Sequence, residues 1–150
     1  MTIIAVAGSI MAADSASFQD DIMFPSAEPK IVRAPGGGLI GACGAAGDCQ
    51  ILRRWVAGGM DFDKPPKFSH PDATNDKSLL WLWLKSDLSV EMGDSTMNCW
   101  IVLSPVVIGC GAGYLHGLLD GGVDLPEAVR RAIERVQYIG GPVQVERVER

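Results

Sequence analysis

Apolar positions in this chain fall into short runs punctuated by glycine, proline and charge, and their spacing alternates between strand-like and helix-like. Ile3 to Ala7 is a short, largely β-branched run, and Ile10 to Ala13 follows it after Gly8-Ser9, which predicts a tight hairpin. Lys30 to Arg33 and Leu39 to Cys43 flank Ala34-Pro35-Gly36-Gly37-Gly38 and predict a second hairpin with a glycine-rich turn. Ser78 to Lys85 and Leu88 to Met92 predict a third around Ser86-Asp87. Trp81 and Trp83 alternate there with leucines, so both faces of that strand are expected to be covered. Cys99 to Ile108 reads as one more apolar strand, and Val143 to Val148 as a closing strand.

The helical spacing appears three times. Ala45 to Ala57 carries Asp48, Leu52, Trp55 and Val56 at helical intervals and stops at Gly58-Gly59. Gly109-Cys110-Gly111 turns the preceding strand into a helix ending near Gly121. In the last helix Asp124 and Glu127 form a D-x-x-E capping box, with Pro126 in the first turn. Leu125, Val129, Ile133 and Val136 repeat on one face, and Arg130, Arg131, Glu134 and Arg135 face water. Ser15 to Pro29 and the proline-rich Met60 to Asp76 read as loops. The fold class is α+β, in which two antiparallel sheets with helices outside them would bury the doubly apolar strands. Periodicity is equally compatible with an ordinary two-layer α+β fold.

Composition narrows the function classes. At 150 residues the chain is expected to form a single domain over 1–150 with one sizeable core. Its 18 glycines are well above the usual share of about 7% and suit tight turns in a sheet-rich fold. A net charge of −5 argues against nucleic acid as a partner. Cys43, Cys49, Cys99 and Cys110 contain no C-x-x-C pair, so neither a metal nor any other cofactor is expected, and reduced thiols point to the cytoplasm. Thr2 to Ala13 resembles the apolar core of an export signal but lacks a basic flank, since the first Lys or Arg is Lys30. Asn98 to Leu119 is uncharged over a membrane-spanning length, yet Pro105 and several glycines break it, so no membrane association is expected.

A Ser/His/Asp triad would have to use His70 or His116, and both are expected to face solvent. Thr2 is the more distinctive residue. Once Met1 is removed it offers a hydroxyl nucleophile and a free α-amine, whose ordinary pKa of about 7.7–8.0 lets it accept a proton near neutral pH. A buried lysine nearby would lower that value by like-charge repulsion, and an aspartate would hold the lysine in place. Lys30 and Asp14 are candidates for these roles. The competing reading is that Thr2 is an ordinary second residue and that Asp14 and Lys30 are turn charges.

The strings T-I-I-A-V (2–6), M-A-A-D-S (11–15) and K-I-V-R (30–33) resemble the N-terminal threonine hydrolases of the proteasome β and bacterial HslV type. G-A-C-G-A-A-G-D (41–48) resembles that family's turn into its first helix. I-G-C-G-A-G-Y (108–114) and G-V-D-L-P-E-A-V-R-R-A-I-E (122–134) are similar to its later strand-to-helix segment and following helix. Asp14 and Lys30 are sixteen residues apart, the separation of the matching family residues. The resemblance implies a four-layer αββα sandwich and a threonine peptidase. In it Thr2 is the nucleophile, Lys30 tunes its amine and Asp14 pairs with that lysine. Gly44 would supply the oxyanion-hole N–H, a donor typically worth about 3 kcal/mol in the transition state.

It further implies a peptide or unfolded-protein substrate, homo-oligomeric rings and an AAA+ unfoldase partner. Two departures stand out. Cys110 replaces a serine that usually supports the site, and Met60 to Asp76 takes the place of the family's second long helix. Gly41 and Ala42 are small enough to leave an open pocket. The rival reading is a catalytically inactive relative that keeps the sandwich as an assembly or interaction scaffold.

Overall fold

A computed structural model describes residues 1–72 and 78–149. In chain order the first elements are β1 (Ile3–Ala7), β2 (Ile10–Ala13), β3 (Ala16–Gln19), β4 (Ile22–Pro25), β5 (Ile31–Arg33), β6 (Leu39–Cys43) and α1 (Ala46–Ala57). They are followed by β7 (Leu80–Leu84), β8 (Val90–Asp94), β9 (Cys99–Val102), β10 (Val106–Gly109), α2 (Ala112–Asp120), α3 (Leu125–Arg135) and β11 (Gln144–Arg147). Two antiparallel sheets result, one in the order β10-β1-β2-β11 and the other in the order β5-β6-β7-β8-β9. The α+β class read from the sequence holds.

The apolar runs explain how the sheets stack. Along β1, Ile4 and Val6 point into a cluster shared with Leu39, Leu82 and Leu84 of the second sheet. Ile3 and Ala5 point the other way, into a cluster with Leu115 of α2 and Leu125, Val129 and Ala132 of α3. A strand sandwiched in this way must be apolar at every position, which is why its pattern does not alternate. The same logic holds for β7. Leu82 and Leu84 face the first sheet, whereas Trp81 packs outward against Leu52 and Val56 of α1. Trp81 is fully buried and Trp83 half-buried. Gly41 lets the two sheets approach closely, because a Cβ there would lie 2.8 Å from Ile4 Cγ2 and 3.1 Å from Met11 Sδ.

Several expectations are corrected. Ser15 to Pro29 is not mostly loop, since β3 and β4 pair as a separate two-stranded ribbon. Every residue of β4 is exposed, so burial never imposed the alternation that marks a strand. Cys99 to Ile108 is two strands in different sheets, separated by Leu103-Ser104-Pro105. Proline has no N–H for the ladder, and the chain changes sheets at that point. The third hairpin resumes at Val90, because Leu88 sits in the turn with φ +70°.

The capping box at α3 does not form. Asp124 occupies the N-cap without a side-chain bond, and Glu127 accepts instead from Arg130 and Arg131 at 2.7 and 3.0 Å. His70 and His116 are half-buried rather than exposed. Residues 73–76 of the expected 60–76 loop lie outside the described residues, and 60–72 contain no helix or strand. Among the described residues no helix is long and apolar enough to cross a membrane.

Candidate active site

Thr2 immediately precedes β1, and its carbonyl accepts the Cys110 N–H at 2.9 Å. That clamp depends on Gly109, whose φ is +95° and where a Cβ would lie 2.0 Å from the Thr2 oxygen. Asp14 follows β2 directly, so the β1–β2 register sets its carboxylate beside the start of β1. Its Oδ1 accepts the Ile3 N–H at 3.1 Å and Lys30 Nζ at 2.8 Å, and its Oδ2 accepts the Gly140 N–H at 3.1 Å. Lys30, at the entrance to β5, also donates from Nζ to Ala16 O at 2.5 Å and to Met1 O at 3.2 Å. All three ammonium hydrogens therefore have acceptors. Burial pushes the Lys30 amine below its usual range, opposed by Asp14. The Met1 oxygen belongs to the peptide joined to Thr2 N, so the lysine sits next to that nitrogen.

Thr2, Lys30, Gly44 and Cys110 share one cavity of about 750 Å³. Asp14 lies behind Lys30 and does not reach the cavity wall. Gly44 forms the bend between β6 and α1 with φ +129°, where a Cβ would lie 2.8 Å from Ser78 O. Of the two small residues read as opening a pocket, Ala42 lines this cavity, whereas Gly41 is filled by Ile4 and Met11. Cys43 and Cys49 also line the wall, and burial pushes their thiols up to about 12 and about 11. Neither histidine lines it. Among the described residues no group of three or more His, Cys, Asp or Glu side chains is arranged to hold a metal ion.

Sequence reasoning missed several neighbours. Gln144 Oε1, on β11, accepts the Lys30 backbone N–H at 2.7 Å across 114 residues. Gly140 supplies an N–H to Asp14 and its carbonyl accepts from Ser15 and Ala16, anchoring the segment that carries the aspartate. The Gly140-Gly141 doublet was the one visible hint, whereas a glutamine at a strand start gives no signal. Arg53 and Glu28 on the cavity wall were also missed, as was the acceptor role of Asp48. Asp48 is fully buried and takes the N–H groups of Ser69 and His70 and the His70 ring.

No protein-family model matches the chain, and no curated protein matches it in sequence. Solved structures do. BPH from Thiobacillus denitrificans superposes with a TM-score of 0.68 at 16% identity, covering 99% of this chain and 98% of that one. A complex of the same protein with epoxomicin gives 0.69 at 15% identity, with 99% of each chain covered. Eukaryotic HslV from Trypanosoma brucei gives 0.68 at 16% identity over 100% of both chains. At these identities the likeness establishes a shared fold.

Proposed function

We propose that this chain is an N-terminal nucleophile hydrolase of the proteasome β and HslV type, a four-layer αββα sandwich forming one domain over 1–150, and that it cleaves peptide bonds with Thr2. The observation that carries the reading is the double attachment of Asp14. One oxygen holds both the Lys30 ammonium and the N–H of the residue after Thr2, and Lys30 in turn touches the carbonyl bonded to Thr2 N.

With Met1 removed, the Thr2 α-amine stands beside Lys30, whose positive charge favours the neutral, proton-accepting form of that amine. The amine takes the proton from Thr2 Oγ as the oxygen attacks the substrate carbonyl. Gly44, at the bend before α1, is the donor to the oxyanion, and Cys110 supports Thr2 through its backbone N–H. Collapse of the tetrahedral intermediate passes the proton to the leaving amine and leaves an ester on Thr2. Water, deprotonated by the same amine, then releases the acid and restores the hydroxyl. A homo-oligomeric ring, a cytoplasmic location and an AAA+ unfoldase partner are extensions of this reading that follow from the family resemblance of the sequence.

Mass spectrometry of the N-terminal peptide after incubation with a peptide epoxyketone tests the proposal. That reagent closes a ring only on a hydroxyl and free amine of one residue. The expected result is an adduct on Thr2 that disappears in Thr2→Ala and falls sharply in Lys30→Met. Retained Met1 with no adduct would overturn it in favour of the inactive scaffold.

A further inference from the structure

The cavity that holds Thr2 has a charge of its own. Among the described residues, the charged side chains on its wall are Lys30, Arg53 and Glu28, two cations against one anion, in a chain whose net charge is −5. Asp14, which compensates Lys30, is not on the wall.

The two members of the Arg53–Glu28 pair are held very differently. Arg53 belongs to α1, where Ala46, Cys49 and Arg53 are spaced three and four residues apart and all line the cavity, so one helix face forms a floor ending in a guanidinium. Its side chain is 20% exposed, and Gln50 Oε1 fixes it by accepting from Nη2 at 2.9 Å and from Nε at 3.3 Å. Glu28 lies on the irregular segment between β4 and β5, is 56% exposed, and is held only by two long contacts, to Arg53 at 3.4 Å and from Gln50 Nε2 at 3.3 Å. A long, exposed pair of this kind is weak and easily exchanged. The pinned cation therefore sets the character of the pocket, and Glu28 is the replaceable anion that covers it.

We infer that the cavity selects peptides carrying an acidic side chain at the residue whose carbonyl Thr2 attacks, with the substrate carboxylate displacing Glu28 from Arg53. The small residues Ala42 and Ala46 leave the length of the floor free for that side chain, and a carboxylate meets the guanidinium fork in the geometry that suits it. This inference rests on the peptidase reading above.

The test compares three peptide epoxyketones that differ only in bearing Glu, Leu or Arg next to the warhead, following the rate of Thr2 adduct formation. The Glu reagent is expected to react about 10- to 100-fold faster than the other two, the range a hydrogen bond to a charged group supports. Arg53→Met should remove that advantage, Arg53→Lys should keep part of it, and Glu28→Gln should increase it. An equal or faster rate with the Leu or Arg reagent in the unmodified protein would overturn the inference while leaving the peptidase reading intact. If no reagent labels Thr2, the peptidase reading fails. The pocket is then probed by calorimetric binding of the Glu and Gln peptides to Thr2→Ala, and the absence of an Arg53-dependent preference overturns the inference as well.

Discussion

Asp14 and Asp48 are both fully buried carboxylates, and each accepts three N–H donors. Both tie distant segments together, Asp14 joining β1, Lys30 and Gly140, and Asp48 clasping Ser69 and His70 to the first turn of α1. The difference lies in the charged partner. Lys30 is only 8% exposed and reaches the cavity beside Thr2, whereas the His70 ring is 32% exposed and lies away from it. On the proposed reading, the same anchoring device prepares a reaction at one site and fastens a loop at the other. What separates chemistry from architecture here is where the counter-charge stands.

Asp14→Ala should have the largest effect. Removing one partner of a buried ion pair typically costs about 3–5 kcal/mol, so denaturant unfolding should move by that amount, and epoxyketone labelling of Thr2 should disappear. A variant that unfolds normally would mean that Lys30 sheds its proton rather than remain unpaired. Asp48→Ala leaves two part-buried backbone N–H groups without their acceptor, and because water can reach them the total cost should be about 1–3 kcal/mol. Its labelling rate per folded molecule should stay within a few-fold of the unmodified protein. A loss as complete as that of Asp14→Ala would erase the distinction between the two sites.

The smallest effect is a slope. Burial works against ionisation of Asp48, but the Ser69 and His70 donors outweigh it and hold the carboxyl below its ordinary 3.8. Between the native and unfolded values the unfolded chain binds the extra proton. The stabilisation is therefore complete above the unfolded value and is lost as pH falls from about 4 toward the native value. Asp48→Asn should flatten that part of the acid limb of stability against pH, measured by urea unfolding at each pH.

The contrast also marks how far the sequence could be read. Helices α1 and α3 were legible because their apolar positions repeat with the helical period, and the β1–β2 hairpin because two short apolar runs flank Gly8-Ser9. Asp14 and Lys30 could be singled out by their spacing and by a family resemblance. The Asp48–His70 clasp could not, because it spans 22 residues into a proline-rich stretch with no periodicity. The β3–β4 ribbon escaped for the opposite reason. Ile22, Met23 and Phe24 are apolar but exposed, so the pattern that normally identifies a strand carried no burial behind it. Arg53 was visible as a helix residue, but its place on a cavity wall depends on how α1 lies against β6.

Two of the three cysteines on that wall, Cys43 and Cys49, have a consequence for chemical selectivity. Sulfur is ordinarily the better nucleophile, and an electrophile entering the cavity passes Cys43 and Cys49 as well as Thr2. Because burial holds both of those thiols up to about 12 and about 11, they remain protonated at neutral pH and react poorly. The pocket gains two soft, space-filling atoms without gaining two competitors for the reagent.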